Sequence, residues 1–303
     1  MKHITVLLNE TIDGLDIQKG DIIVDGTLGG AGHTKEIIRR FGKDVKIIGL
    51  DIDKDAIDRS EVALKDLKKD VVLVNAGFQD IDKVLENLNL LHADRILLDL
   101  GLSSFQLEES ERGFSFLKDE PLMMTMKKNP EGGDITAYDI VNTWEEKSIA
   151  DIIYGFGEEK YSRKIARAIV EAREEKEIRT TFDLVKIIKE AVERNYRGLK
   201  IHPATRTFQA LRIATNSELT NLEKVIEKGF NKLTIGGRIA IISFHSLEDR
   251  IVKRAFVELK EKGYGMIITK KPIIPTKEEM KDNPRSRSAK LRLIEKIINN
   301  NKQ

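Results

Sequence analysis

Three acids occupy positions that ordinary packing does not explain. Asp25, Asp51 and Asp99 each close a short apolar, β-branched run, and each is followed by small or turn-forming residues, in "VDGTLGGAGHT" (Val24–Thr34), "GLDID" (Gly49–Asp53) and "RILLDLGLSS" (Arg95–Ser104). A buried, unpaired carboxylate is costly, so acids placed at the ends of apolar strands are expected to face a ligand or water. In the first stretch Gly26, Gly29, Gly30 and Gly32 permit positive φ and close approach of a ligand to the backbone, and the following helix N-terminus offers N–H groups to an anion. In the second, Asp51 is placed to accept both ribose hydroxyls of an adenosyl group, while Asp53, directly before "KDAIDRS", suits a helix N-cap. Phe78, in "NAGFQD", either stacks on a purine or seals the sheet edge. In the third, the small turn behind Asp99 leaves room for a planar group, with the Gln106 amide completing that wall.

Two ligands fit this set. A nicotinamide dinucleotide requires G-x-G-x-x-G spacing, but in "DGTLGGAGHT" the first Gly sits too early, and no general acid for hydride chemistry is evident. S-adenosylmethionine uses an acid before the turn (Asp25) and a polar residue where the methyl is delivered, and is preferred on these grounds.

The elements that must position these acids follow from the pattern around them. Apolar runs alternate with amphipathic segments: "DIIVDGT", "VKIIGLD", "VVLVNAGF" and "RILLDLG" read as strands, and "GHTKEIIRRF" (opening on Thr34), "KDAIDRSEVALKDL" and "IDKVLENLN" as helices. Strands without period-two alternation are covered on both faces, which implies a doubly wound α/β fold with a mostly parallel sheet, whose ligands bind outside the strands' carboxyl ends. From about Glu108 to His202 no strand is evident, only loop and helical periodicity. "GGRIAIISFHS" then reads as a fifth core strand after a Gly-Gly turn. The expected organisation is a core in two parts, residues 1–107 and 204–303, interrupted by an all-helical domain over 108–203.

The 303 residues suffice for a large core, and 40% hydrophobic with 34% charged residues is a globular composition. The formal net charge of +2 does not announce a nucleic-acid binder, but Lys270–Gln303 holds ten Lys or Arg against four Asp or Glu, so basic surface is local. The absence of Cys excludes disulfides, thiolate chemistry and Cys-ligated zinc. The five His are scattered without ligand spacing, so no structural metal is expected. The apolar run in "MKHITVLLNE" is too short for a signal peptide, and no stretch approaches the roughly 20 apolar residues of a membrane helix. A cytoplasmic protein without a membrane partner is expected.

Several longer stretches, among them "LLDLGLSSFQLEESERGFSF", "FGEEKYSRKIARAIV", "HPATRTFQALRIATNSEL", "GGRIAIISFHSLEDRIVK" and "NPRSRSAKLR", occur in order along nearly the whole chain. Together with "DGTLGGAGHT" and "GLDID" they resemble the successive signatures of the bacterial 16S ribosomal RNA N(4)-cytosine methyltransferases, the RsmH or MraW family. The resemblance implies a Rossmann-like methyltransferase core with an inserted helical domain, S-adenosylmethionine as donor, and a decoding-centre cytosine of the small ribosomal subunit as acceptor. It also implies cofactor contacts at Ala31, Gly32, His33, Asp51, Phe78, Asp99 and Gln106. After "GFSF" the family pattern Pro-Leu-Asp-Met-Arg-Met is replaced by "PLMMTM", so that Met123 stands for the acid and Thr125 for the Arg; Ala31 likewise replaces a Gly. The departure motivates an alternative reading, a catalytically altered paralogue that binds RNA as a ribosome-assembly factor or methylates a different cytosine.

The exocyclic amine of cytosine is a poor nucleophile, because its lone pair is delocalised into the ring. The site must supply in-line placement, worth roughly 7–11 kcal/mol, and an acceptor for an amine N–H. Asp99, or a backbone carbonyl of "DLGLSS", is the expected acceptor, assisted by Ser103 or Ser104. An unstacked base must also be held. Arg206, Arg212, Arg285 and Arg287 are expected to contact RNA phosphates, with Arg163, Lys164, Arg167 and Arg292 as further candidates, and His245, in "SFHSLEDR", lies either at the pocket rim or in an N-cap region built from Ser246 and Glu248. The expected oligomeric state is a monomer or a homodimer.

Overall fold

The computed structural model describes residues 4–67, 70–196 and 201–298. The chain folds as two compact units, Met1–Gly101 with Leu219–Gln303, and Leu102–Glu218. In the first unit, helix α1 (Leu8–Leu15) precedes a run of strands and helices: β1 (Ile22–Asp25), α2 (Gly32–Phe41), β2 (Lys46–Asp51), α3 (Lys54–Ala63), β3 (Val71–Asn75), α4 (Ile81–Asn87) and β4 (Ala93–Asp99). The four strands pair in parallel, β3 to β2 to β1 to β4. Successive residues of these strands feed opposite layers. Val24, Ile48, Ile96 and Leu98 join one apolar cluster, whereas Ile23, Ile47 and Leu97 join another with Leu15 and Ile37. Both faces are therefore dry, which is why the runs show no alternation. The register places Asp25 opposite Gly49 and Asp51 opposite Asn75, at the carboxyl ends.

The second unit is helical. It comprises α5 (Ser104–Glu108), α6 (Ala137–Thr143), α7 (Glu146–Gly157), α8 (Ser162–Glu175), α9 (Thr181–Val192) and α10 (Thr205–Asn216), with one isolated bridge between Pro121 and Thr180 among the described residues. Its core joins Ile140, Ile153, Ile169, Ile188 and Leu211. The unit is wider than the 108–203 span read from the sequence, because Leu107 of α5 and Phe208, Ala210 and Leu211 of α10 belong to the same apolar cluster.

The chain returns to the first unit through α11 (Glu218–Lys232), β5 (Leu233–Ser243), α12 (Ser246–Glu261), β6 (Gly265–Ile267), α13 (Lys277–Asp282) and β7 (Lys290–Lys296). Among the described residues the sheet has seven strands, in the order β3-β2-β1-β4-β5-β7-β6, with β7 antiparallel to both neighbours. β5 begins before the Gly-Gly pair, and its pairing with β4 shifts register between Ala93 and Arg95.

β7 lies inside the segment that reads as a basic tail. Its sequence, "KLRLIEK", hides a strand because each charge has a local partner. Lys290 and Arg292 meet Asp249, Glu295 meets Arg238, and Lys296, 1% exposed, donates to the carbonyls of Phe230, Asn231 and Leu233. Lys296 thereby closes the end of α11, whose last carbonyls lack intrahelical donors. Lys296→Met keeps the apolar stem but strands those carbonyls, and is expected to destabilise the fold by about 1–3 kcal/mol in chemical denaturation.

Candidate functional site

The acids at the strand ends converge within the first unit. After β1 the chain turns sharply: Gly29 and Ala31 both take left-handed backbone (φ 50° and 57°), and Ala31 caps α2. An Ala there costs roughly 1–2 kcal/mol relative to a right-handed residue. Gly26 and Gly32 serve a different purpose, since neither has positive φ. A Cβ on Gly26 would lie 2.5 Å from Leu98 and 3.3 Å from the Phe78 Cβ, and one on Gly32 would lie 1.9 Å from the Thr5 hydroxyl. α2 opens at Gly32, not at Thr34; the Thr34 hydroxyl points inward and donates to Asp25 Oδ2 at 2.7 Å.

Asp51 clips two segments together. Its oxygens accept the Gly29 N–H at 2.8 Å and the Asp53 N–H at 2.9 Å. A carboxylate has about four acceptor positions, so capacity for two hydroxyls is left. Asp53 caps α3, accepting from Asp55 N–H. Phe78, half-buried, follows β3 and lies beside Gly26.

Asp99 receives the most constrained surroundings. Its N–H donates to the Thr27 hydroxyl at 2.6 Å, and its Oδ2 lies 4.0 Å from Nδ1 of His33, itself 4% exposed. Its Oδ1 is buried and meets no hydrogen-bond partner among the described residues, although the side chain as a whole is 24% exposed. Burial, and then the charge of Asp25, push its pKa up to about 7, against the Gly101 N–H, with a smaller push from Glu248. Burial raises Asp25 to about 6 despite the Thr34 and Thr27 hydrogen bonds, and raises Asp51 to about 6 despite the Asp53 and Gly29 N–H groups. These three carboxylates share a region that contains too little positive charge to ionise them comfortably. A cationic ligand would repair that deficit, and S-adenosylmethionine carries both a sulfonium and an ammonium group. The donor set fits it: Asp51 for hydroxyls, an orphaned Asp99 oxygen for positive charge or an N–H, and a bare turn at Gly29.

Ser103, Ser104 and Gln106 belong to the second unit, where Ser103 and Gln106 form a capping box. The Ser103 hydroxyl accepts from Gln106 N–H at 3.2 Å, and Gln106 Oε1 accepts from Ser103 N–H at 3.0 Å. The "PLMMTM" loop lies in this unit too. The Arg112 guanidinium donates to the carbonyls of Thr125 and Met126, and the Asn216 amide holds Met124 O and Met126 N. The loop is thus pinned through its main chain, so the side chains at 123 and 125 can change without releasing it.

The basic residues divide by commitment. Arg206 is tethered through Nη1 to the Glu158 carbonyl at 3.0 Å. Arg212 forks onto Glu218 at 2.8 Å with little exposure on either side, which occupies the guanidinium expected to meet RNA. Arg285 and Arg287 are exposed on a 3-10 turn (Pro284–Ser288), and Arg163, Lys164 and Arg167 are exposed on α8. His245 is the N-cap of α12: its Nδ1 accepts from Glu248 N–H, and its Nε2 lies 3.2 Å from Glu248 Oε1. Glu248, 3% exposed, also accepts the Phe244 N–H at 2.8 Å. Sequence reasoning missed Thr27 and Thr34 as partners of the acids. The expected N-cap region at Ser246 and Glu248 is present, with His245 itself as the capping residue and Glu248 beneath it.

With this geometry in place, the chain can be set beside known proteins. A family profile described as the MraW methylase family matches residues 1–297. A protein named "Ribosomal RNA small subunit methyltransferase H" from Clostridium botulinum (strain Kyoto / Type A2) is 48% identical over 311 residues, covering 98% of this chain and 99% of its own. Its namesake from strain 657 / Type Ba4 is 47% identical, with the same coverage.

Proposed function

The chain belongs to the MraW methylase family, and from that premise we propose that it transfers a methyl group from S-adenosylmethionine to the exocyclic N(4) amine of a cytosine in 16S ribosomal RNA of the small subunit. The observation that supports this most directly is the convergence of Asp25, Asp51 and Asp99 at the carboxyl ends of parallel strands, all three pushed towards protonation by burial, and Asp51 and Asp99 also by the charge of Asp25. Asp51 and the Gly29 turn would hold the adenosyl end, with Phe78, Ala31, Gly32, His33 and Gln106 as the remaining cofactor contacts expected from the resemblance. When bound, the donor supplies an electrophilic methyl group on a positively charged sulfur.

What the chain must add is placement and a proton acceptor. Asp99 accepts the hydrogen bond from the cytosine amine, drawing its N–H out of conjugation, and its elevated pKa suits it to hold the proton released by the amine. Thr27 fixes the Asp99 backbone, so the carboxylate does not reorganise. Ser103 and Ser104 would assist by orienting the base. The 98% coverage of the chain by relatives that carry the small-subunit methyltransferase name favours this reading over the assembly-factor alternative, and the main-chain pinning of residues 124–126 accommodates Met123 and Thr125. Labelled methyl transfer to small subunits, followed by mass spectrometry of the nucleoside, tests it; the absence of N(4)-methylcytidine would refute it.

Phosphate contacts are assigned to Arg206, Arg285 and Arg287, with His245 and Arg212 as lesser candidates because each already faces a carboxylate, Glu248 and Glu218. Three arginines each neutralising one phosphate of a single strand give a log–log salt slope near −2, so affinity is expected to fall roughly 20-fold between 50 and 200 mM salt. Anisotropy titrations with labelled RNA measure this, and a flat response would remove the basic rim from the account.

A further inference from the structure

Two motifs far apart in the chain, "ERGFSF" and "HPATRTFQA", meet in one aromatic column of the second unit. The rings of Phe116 and His202 stack with centroids 4.7 Å apart and planes 10° from parallel, and Phe208 braces Phe116 edge-on at 5.5 Å. Phe208 is buried, whereas Phe116 and His202 are only partly so. The His202 ring is also fixed in orientation: its Nδ1 accepts the Ala204 N–H at 3.2 Å, which leaves the proton of the neutral ring on Nε2. Burial, and then the Lys189 charge, lower the His202 pKa, so the ring is neutral at pH 7 and above. Four residues on, Arg206 is tethered to the Glu158 carbonyl by one nitrogen, and α10 opens without a side-chain cap or an acid in its first turn.

We propose that the Phe116–His202 pair is a stacking platform for an unpaired nucleobase of the RNA, with Arg206 as the cation for the adjoining phosphate. This rests on the proposed function and deepens it by naming a base-stacking element to go with Arg206, one of its phosphate contacts. Stacking tolerates any base, and the Nε2–H offers one donor to a base-edge acceptor. The aromatic face, the neutral imidazole, the Lys189 charge it feels and Arg206, four residues further along the chain, suit a single-stranded nucleotide better than an acidic peptide, whose backbone and carboxylates offer no ring to stack.

The decisive variant is His202→Asn. An Asn side-chain oxygen can accept the N–H two residues on, as in an Asx turn, so the loop into α10 keeps its cap while the ring is lost. Binding of a labelled cytosine-containing RNA oligonucleotide is expected to weaken about tenfold, whereas S-adenosylmethionine binding by calorimetry and the melting temperature stay unchanged. His202→Phe, which keeps the ring, should bind RNA within about threefold of the parent. Unaltered RNA affinity in His202→Asn, or equal losses in both variants, would overturn the platform. If His202→Asn also melts early, retention of binding by His202→Phe decides the matter. A parent protein that methylates small subunits while His202→Asn binds normally would refute only the platform. Ring-dependent RNA binding without methyl transfer would refute only the catalytic reading.

Discussion

Asp99→Asn is expected to lower methyl transfer by at least two orders of magnitude at saturating donor. The amide is nearly isosteric and retains one acceptor oxygen, so it leaves the Thr27 contact to the backbone N–H intact. It has no charge and cannot take up the amine proton, and a positioned proton acceptor contributes typically 10²–10⁴-fold. Stability should move the other way. A carboxyl raised in the folded state to about 7 binds its proton more tightly when folded than when unfolded, so its contribution is present at low pH and lost as pH rises through that value. At pH 8 the parent carries the ionised, poorly solvated group and the variant does not. The variant should therefore melt at or above the parent temperature at pH 8, with the difference shrinking towards pH 4. Full turnover by Asp99→Asn would exclude Asp99 as the acceptor, and a uniform loss of stability at every pH would mark it as a structural residue.

Binding of S-adenosylmethionine should strengthen about tenfold or more between pH 5.5 and 7.5. With the donor absent, Asp25 and Asp51 titrate near 6 and Asp99 near 7, each raised first of all by burial. A sulfonium and an ammonium nearby favour the ionised forms, so binding at low pH must expel protons, while binding at high pH meets carboxylates already ionised. The sign is thus fixed: the free protein loses stability as pH climbs from about 4 to 7, and the donor restores more of it at the upper end. Donor-induced shifts in melting temperature measured across this range should grow with pH and level off above about 7.5. Calorimetry in buffers of different ionisation enthalpy should show protons released at pH 6 and almost none at pH 8. A pH-independent affinity would mean that the three acids do not face the donor. Asp51→Ala provides the contrast, since it removes the clip between Gly29 and Asp53 as well as the acceptor for hydroxyls. It should weaken binding at all pH values.

The alternation of apolar runs with amphipathic helices, and the acids closing three of those runs, are local features, and they were enough to place Asp25, Asp51 and Asp99 at the carboxyl ends of parallel strands. A parallel strand buried on both faces must read as a continuous apolar run, and its last residue must be the first to leave the core. The resemblance carried by the longer motifs pointed to the same family as the profile match. β7 was illegible for the opposite reason. Its Lys290, Arg292, Glu295 and Lys296 are polar residues in a sheet, acceptable only because Asp249, Arg238 and three carbonyls from the end of α11 and the first residue of β5 await them. Nothing within seven residues of sequence announces such partners.

What the sequence determined by itself was therefore periodicity and chemistry: a doubly wound core, a helical insert, and acids at the strand ends. Only the tertiary structure decided who meets whom. Thr34 turns in to Asp25, His33 comes within 4.0 Å of Asp99, Arg212 is spent on Glu218, and Phe116 stacks on a histidine 86 positions away. Period and residue type act over one or two turns of chain. Carboxylate pKa values and ring stacks depend on which distant groups share a dry volume, and that volume exists only once the layers have packed.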